Sequence, residues 1–143
     1  MNCEISCGFL LIDSESHKIL LLKSLNKIGW DLPKGHLENT ETFLETAFRE
    51  VKEETKIEKS QISIIHDIIN VPLVGSYEYI SPITKNKREI HLFVGNITQS
   101  PVISDEHSGF LWCSLDDGLN HLRFTEVQNC IRKLYSEYLE SQK

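Results

Sequence analysis

The chain lacks the sequence features that mark secreted, membrane-spanning and zinc-binding proteins. It has only four cysteines in 143 residues and no C-x-x-C pair, so neither a zinc site nor a disulfide framework is expected. No apolar run approaches the roughly 20 residues of a membrane span. The first residues, MNCEISCGFLLID, lack the basic start and unbroken apolar core of a signal peptide. We therefore expect a reducing compartment, the cytoplasm or alternatively the nucleus.

Positive charge is also scarce. Lys and Arg number 15 against 21 Asp and Glu, which gives a net charge of −6. This balance argues against binding to long nucleic acid or to anionic membranes, although a local basic pocket for a small phosphorylated ligand stays possible. The chain has no internal repeat, low-complexity tract or linker. We expect one domain over residues 1–143, large enough for a real core, and a monomer.

Hydrophobic periodicity divides the chain into strands and helices. The segments predicted as strands are 5–13, 18–24, 62–74, 76–81, 88–97 and 108–115. A loop is predicted over 29–41, and helices over 42–55, 116–122 and 125–142, the first beginning with a capping box of Thr42 and Glu45. One early helix and one closing helix among strands predict an α/β (α+β) fold, a mixed sheet covered by helices on both faces.

The segment REVKEETKI, residues 49–57, places three carboxylates on one side of the first helix. Because an α-helix turns about 100° per residue, Glu53 lies about 60° to one side of Glu50 and Glu54 about 40° to the other. This stripe runs beside the apolar face, and Arg49 can pair with Glu53 one turn further on. The stripe is either a solvated acidic surface or a set of oxygen ligands for a hard cation such as Mg²⁺ or Mn²⁺.

The residues around the stripe resemble the Nudix box, G-x5-E-x7-R-E-U-x-E-E-x-G-U, where U is apolar. The matching residues are Gly35, Glu41, Arg49, Glu50, Glu53 and Glu54, with Val51 and Ile57 at the apolar positions. Lys56 stands where the family has glycine. Glycine would suit a left-handed residue at a helix end, so lysine there would cost up to about 1 kcal/mol.

The resemblance implies a Nudix-type α/β/α sandwich whose loop–helix–loop holds a divalent metal, Mg²⁺ or Mn²⁺. By position, Glu50, Glu53 and Glu54 are the implied metal ligands, and the carbonyl of Gly35 is a further one. Glu53, Glu54 and Arg49 are the implied catalytic residues of the box, with Arg49 orienting the acids. The implied reaction is hydrolysis of a nucleoside diphosphate linked to another group, in which the metal lowers the pKa of the attacking water.

Two segments outside the box resemble one subfamily, the diadenosine tetraphosphate hydrolases of animals and archaea. GWDLPKGHLE, residues 29–38, is similar to its W-x-x-P-K-G-H-x-E segment, and SDEHSGFLW, residues 104–112, to its S-x-E-H-x-x-x-x-W segment. Lys34 and His36 would then face the polyphosphate, with a solvated loop as the alternative. The chain departs from the subfamily at Asn39 and Thr40, where Pro-Gly is frequent.

Five further residues take candidate roles from this resemblance. Glu106 matches the distal acid, either a further metal ligand or the general base, with a turn acid as the alternative, and His107 would support it or lie at the surface. Tyr79 and Tyr138 match positions that stack adenine, at about 1–3 kcal/mol per base. The Tyr138 match needs a one-residue shift, which slightly favours a place in the core. Arg88 would contact a phosphate or remain a surface cation.

The resemblance therefore implies a Mg²⁺-dependent pyrophosphohydrolase that splits diadenosine tetraphosphate to ATP and AMP. Two alternatives stay open from the sequence. One is another substrate of the family: an RNA 5′ end, an oxidised nucleotide or a diphosphoinositol phosphate. The other is a catalytically silent domain that binds nucleotides as a sensor, although such a domain would have no need of the complete set of acids.

Overall fold

The computed structural model describes residues 3–24, 29–104 and 107–143. Its strands are β1 Cys3–Asp13, β2 Ile19–Ser24, β3 Trp30–Asp31, β4 Lys34–His36, β5 Ser63–Ile64, β6 Val74–Ile80, β7 Lys87–Ile97 and β8 His107–Cys113. Its helices are α1 Phe43–Thr55, α2 Leu115–His121 and α3 Thr125–Ser141, with one short 3-10 turn at Lys59–Gln61. No helix among these residues is long and apolar enough to cross a membrane.

One mixed sheet contains all the strands. β1 runs parallel to β7 along its whole length, from the pair Cys3 and Lys87 to the pair Asp13 and Ile97. The other pairings, among them β1 with β4 and β6 with β7, are antiparallel. Because β1 is covered on both faces, its run of apolar residues is completely buried rather than alternating. The predicted mixed sheet flanked by helices is confirmed.

Two hydrophobic cores lie on opposite faces of this sheet. Leu10 and Ile12 of β1 face the core that contains the buried side of α3, which we call the α3 face. Phe9 and Leu11, which point the other way, face the core that contains the buried side of α1, the α1 face. Helix α1 packs on the α1 face and also contacts β4. The candidate site lies between α1 and β4.

The strand predicted over residues 62–74 is wrong. Only Ser63–Ile64 pairs with β7, and the chain then leaves the sheet in a turn before it returns as β6. The side chain of Asp67 accepts hydrogen bonds from the backbone of Ile69 at 3.0 Å and of Val71 at 3.1 Å, and Asn70 takes a left-handed φ of 62°. These are the turn-forming properties of Asp and Asn, and here they outweigh the apolar neighbours, so that Ile68 is fully exposed.

Candidate active site

Helix α1 begins and ends as local chemistry dictates. Thr42 Oγ1 accepts from the backbone N–H of Glu45 at 3.1 Å. The carboxylate of Glu45 accepts from the backbone N–H of Thr42 at 2.9 Å, which completes the predicted capping box. At the other end Lys56 adopts φ 61° and ψ 16°, and its N–H bonds to the carbonyl of Lys52. The left-handed turn is therefore kept without glycine, at the modest cost expected for a side chain there.

Arg49 is the hub of the acidic residues. Its Nε donates to Glu41 at 2.6 Å, and its Nη1 donates to Glu50 at 2.8 Å and to Glu53 at 3.2 Å. Its Nη2 donates to the carbonyl of His36 at 2.9 Å. The bond to Arg49 is the main reason that the pKa of Glu41 falls to about 2, and the same bond raises the pKa of Arg49. Arg49 therefore ties the loop before α1 to two of the three acids.

Gly35 allows Glu50 to approach the sheet. Gly35 lies in β4 opposite Cys7 of β1, and a Cβ at this position would overlap the carboxylate of Glu50. Any other residue at position 35 would therefore push Glu50 away from β4. This close approach is a physical reason for glycine at the first position of the box, independent of any role for its carbonyl.

Glu54 is the buried acid of the three, with 6% of its surface exposed. One carboxylate oxygen accepts from the backbone N–H of Lys34 at 3.1 Å, and the other lies 3.9 Å from Nε2 of His107. Burial raises the pKa of Glu54 to about 8, and the negative charge of Glu50 adds to the rise. A nearby cation would relieve both effects.

The acids fit a divalent cation in their chemistry but not yet in their positions. Carboxylate oxygens are the ligands that Mg²⁺ and Mn²⁺ prefer, and the destabilised charge of Glu54 favours a cation beside it. Within 3–24, 29–104 and 107–143, however, no three acidic, His or Cys side chains stand close enough to hold an ion. Glu50 and the 56% exposed Glu53 each have one oxygen, Oε1, on Arg49 Nη1.

Lys34 and His36 differ in how they are placed. Lys34 Nζ lies 2.9 Å from Asp31 Oδ2. Burial opposes the charge of Lys34, but the attraction of Asp31, with smaller contributions from Tyr79 and Glu54, outweighs burial and raises its pKa. Lys34 is therefore positively charged, with its side chain paired to Asp31 and its backbone N–H bound to Glu54. The side chain of His36 is exposed at the end of β4.

An aromatic pair lies on the α3 face of β6. The ring of Tyr79 stacks on that of Phe124 with centroids 5.8 Å apart and planes 12° apart. Phe124 precedes α3 directly and is 48% exposed. The sequence analysis missed Phe124, although an aromatic residue beside a helix start, with no partner in the helical pattern, was a usable signal.

The assignment of Tyr138 as a base-stacking residue is wrong. Tyr138 is 0% exposed in the core under α3, so neither face of its ring is open to a ligand. Its hydroxyl lies 2.8 Å from Nδ1 of His17 and accepts from Asn96 Nδ2 at 3.0 Å. The core position that the sequence analysis slightly favoured is the one observed.

The remaining candidates are Arg88 and Glu106. Arg88 lies on β7, opposite Tyr79 of β6 and opposite Glu4 of β1. Its Nε lies 3.1 Å from Glu4 Oε2, an ion pair whose two buried atoms are not aligned for a hydrogen bond. Much of the charge of Arg88 is therefore balanced by Glu4. Glu106 lies outside the described residues.

Known proteins resemble this chain over almost all of its length. A family model described as the NUDIX domain matches residues 5–135. The asymmetrical bis(5′-nucleosyl)-tetraphosphatase of Mus musculus is 27% identical over 141 residues, which cover 90% of each chain. The protein of the same name from Caenorhabditis elegans is 29% identical over 127 residues, 85% of this chain and 83% of its own.

The fold agrees with this result. The crystal structure of a C. elegans Ap4A hydrolase binary complex matches with a TM-score of 0.83 at 24% identity, over 96% of this chain and 98% of that one. The family match spans the glycine loop, α1 with its acids, and the sheet that supports them. The chain therefore belongs to the Nudix family and is one of its pyrophosphohydrolases.

Proposed function

We propose that the protein is a Mg²⁺-dependent hydrolase of dinucleoside polyphosphates that splits diadenosine tetraphosphate asymmetrically to ATP and AMP. One observation carries this proposal: a positively charged Lys34 lies at the acids, and an aromatic pair includes a residue of the same sheet. The backbone N–H of Lys34 contacts Glu54 at 3.1 Å, its Nζ is paired with Asp31, and Tyr79 of β6 stacks on Phe124. A polyphosphate held at Lys34 would reach the acids at one end and a stacked base at the other.

The relatives support the choice of substrate. Two of them, 27% and 29% identical to this chain, are asymmetrical bis(5′-nucleosyl)-tetraphosphatases. The aromatic pair supports the same choice because a stacked base gains about 1–3 kcal/mol without an exact hydrogen-bond match. In this proposal Phe124 takes the place that the sequence analysis gave to Tyr138. Arg88, beside Tyr79, contributes through its exposed atoms only.

The reaction adds water across one P–O–P bond, so the water oxygen stays on one product and its protons are shared between the products. A bound divalent cation, Mg²⁺ or Mn²⁺, would neutralise the polyphosphate and lower the pKa of the water. Glu50, Glu53, Glu54 and the Gly35 carbonyl are the proposed ligands. Arg49 keeps two of these acids in place, and Lys34 and His36 hold the phosphates.

The proton acceptor belongs to the same proposal. Burial raises the pKa of Glu54, which lets it hold a proton near neutral pH, and Glu53 is the most exposed of the three acids, so both are candidates. Glu106 is a proposed base or ligand on its sequence position alone. Replacing the true base should lower kcat by roughly 10²–10⁴-fold and also remove the fall of kcat at low pH. Glu53→Gln, Glu54→Gln and Glu106→Gln, compared across pH at saturating Mg²⁺, would therefore separate the base from a ligand, whose loss lowers kcat but keeps that fall.

The test is a panel of nucleotides incubated with Mg²⁺, with products separated by chromatography and the water labelled with ¹⁸O. We expect diadenosine tetraphosphate to give ATP and AMP, with the label in one product. Two molecules of ADP would mean symmetrical cleavage and would overturn the proposed register. Faster release of product from an RNA 5′ end, an oxidised nucleotide or a diphosphoinositol phosphate would mean that this compound, not diadenosine tetraphosphate, is the substrate. No product from any of them would favour a nucleotide sensor.

A further inference from the structure

A short loop, residues 101–104, is attached to the last turn of α1. The N–H of Val102 donates to the carbonyl of Thr55 at 2.8 Å, and the N–H of Ser104 donates to the carbonyl of Glu54 at 3.1 Å. The last carbonyls of a helix have no partner within it, so the loop satisfies two of them. The bond from Ser104 is made to the very residue whose carboxylate is buried in the site.

This attachment brings the ring of His107 to Glu54. The N–H of His107 donates to the carbonyl of Ser104 at 3.1 Å. Nδ1 of His107 then lies 3.2 Å from Ser104 Oγ, and Nε2 lies 3.9 Å from Glu54 Oε2. Both the imidazole and the carboxylate are largely buried, so few other positions are open to either group.

The hydrogen-bond pattern selects one tautomer of His107. Once Glu54 is ionised, above its pKa of about 8 or beside a cation, it only accepts, so the nitrogen that faces it is favoured as the protonated one, Nε2–H. Nδ1 is then an acceptor, and the hydroxyl of Ser104 donates to it at 3.2 Å. Glu54 Oε1 already accepts from Lys34 N–H. One oxygen of Glu54 faces the backbone of Lys34 and the other faces His107, and these two partners together set the plane of the carboxylate.

We propose that Ser104 and His107 are positioning residues for Glu54: Ser104 fixes the tautomer of His107, and Nε2–H of His107 orients Glu54 Oε2. The described contact of His107 is with Glu54, and Glu106, which the sequence analysis paired with His107, lies outside the described residues. The separation of 3.9 Å is longer than a hydrogen bond, so the interaction at this distance is electrostatic. A hydrogen bond would need Nε2 and Oε2 to approach by about 1 Å. The role at the metal rests on the proposed function.

Removing such an outer partner of a ligand lowers metal affinity or activity by about 10–100-fold. Two variants separate the contacts of His107. His107→Asn has an amide near the position of Nδ1, so it keeps the partner of Ser104 but does not reach Glu54. His107→Gln has an amide near the position of Nε2, so it keeps the donor to Glu54. Ser104→Ala removes only the group that fixes the tautomer.

The experiment measures Mn²⁺ binding by calorimetry without substrate, together with kcat and KM. We expect His107→Asn to weaken Mn²⁺ binding and to lower kcat by about tenfold or more at unchanged KM and thermal stability, while His107→Gln regains most of both. Wild-type Mn²⁺ affinity in the Asn variant would overturn the proposal. Equal losses in both variants would also overturn it, because they would show that Nε2 is not the acting group.

A second measurement is independent of metal and substrate. Nitrogen-15 spectra of the imidazoles at about pH 9.5, where Glu54 is ionised, should show His107 as the Nε2–H tautomer in the wild type and as a mixture in Ser104→Ala. An Nδ1–H tautomer in the wild type would overturn the inference. If Glu54→Gln leaves Mn²⁺ affinity unchanged, Glu54 is not a metal ligand and that part of the proposed function fails. The spectra would then be the test of whether His107 orients Glu54.

Discussion

Glu54 carries its charge in a buried position, and this charge lowers the stability of the metal-free protein. Its pKa is about 8 in the fold, against 4.5 when unperturbed, chiefly because of burial. Between these two values the unfolded chain has lost the proton that the folded chain keeps. Stability should therefore fall as pH rises from about 4.5 to about 8 and be constant above that range.

Replacing Glu54 by Gln should remove this pH dependence. In a chelator, we expect Glu54→Gln to gain stability relative to the wild type as pH rises to 8, by roughly 1–4 kcal/mol. Urea unfolding at pH 5 and pH 8 measures the difference. Glu58→Gln is the matched control, because Glu58 is an exposed acid in an ion pair with Lys52 at 3.3 Å and lies outside the site. An equal pH slope in wild type and Glu54→Gln would contradict the assigned burial effect.

Glu53 should affect turnover rather than folding. Because its side chain is 56% exposed, Glu53→Gln should leave the unfolding midpoint almost unchanged. As a proposed ligand it should nevertheless lower kcat for diadenosine tetraphosphate by about 10²-fold or more at saturating Mg²⁺. Steady-state kinetics beside the Glu58→Gln control would test this. Near-normal kcat would remove Glu53 from the ligand set.

The acids of the site could be located from the sequence, but their environments could not. Spacing of three and four residues placed Glu50, Glu53 and Glu54 on one side of a helix. The burial of Glu54 depends on β4 and on the loop that precedes β8, which are distant in sequence. For the same reason the contact between His107 and Glu54 could not be predicted, because the two residues are distant in sequence.

At the scale of secondary structure, the start of α3 is proposed to bind a base, whereas its interior holds the helix on the sheet. Phe124 lies just before the helix and is half-exposed beside Tyr79. Tyr138, three turns and more into the helix, anchors it to the sheet through Asn96 and to the β1–β2 turn through His17. A change at each end should therefore be visible in a different measurement.

We expect Phe124→Ala to raise KM for diadenosine tetraphosphate by roughly 5- to 150-fold, which is the loss of about 1–3 kcal/mol of stacking if KM follows dissociation. Tyr79→Ala should behave similarly, with unchanged metal dependence. Tyr138→Phe is the contrast. It removes the hydroxyl that contacts half-buried His17 and Asn96, and it should cost about 0.5–1.5 kcal/mol of stability at unchanged KM. Unaffected KM in both Phe124→Ala and Tyr79→Ala would contradict the base-stacking role.

Helices with a strong local signal were predictable, and segments set by turn chemistry were not. The capping box and the 3.6-residue period fixed α1, and the final helix ended at Ser141, one residue before the predicted end. The segment 62–74 has a strand-like run of apolar residues, yet Asp67 and Asn70 turn it out of the sheet. The short strands β3 and β4 inside the predicted loop exist because β1 and β2 supply their partners.

At the scale of the whole molecule, the two cores do not depend on the site. The residues that fill them are apolar side chains on the two faces of the sheet, and none of the three box acids belongs to either core. The fold should therefore form without metal, unlike small zinc domains that need it. One domain, a monomeric state and a cytoplasmic or nuclear location stay predictions.

Divalent cations should stabilise this preformed fold by mass action. A cation that binds only the folded state adds RT ln(1 + [M]/Kd), about 2.7 kcal/mol at a hundredfold excess over Kd. We expect a cooperative unfolding transition in chelator and a rising Tm as Mg²⁺ is added, together with a smaller rise in Glu53→Gln. K⁺ at matched ionic strength controls for screening of the net charge of −6. If Mg²⁺ raised Tm no more than K⁺ does, the box acids would not bind the cation without substrate, and the metal would have to arrive with the polyphosphate.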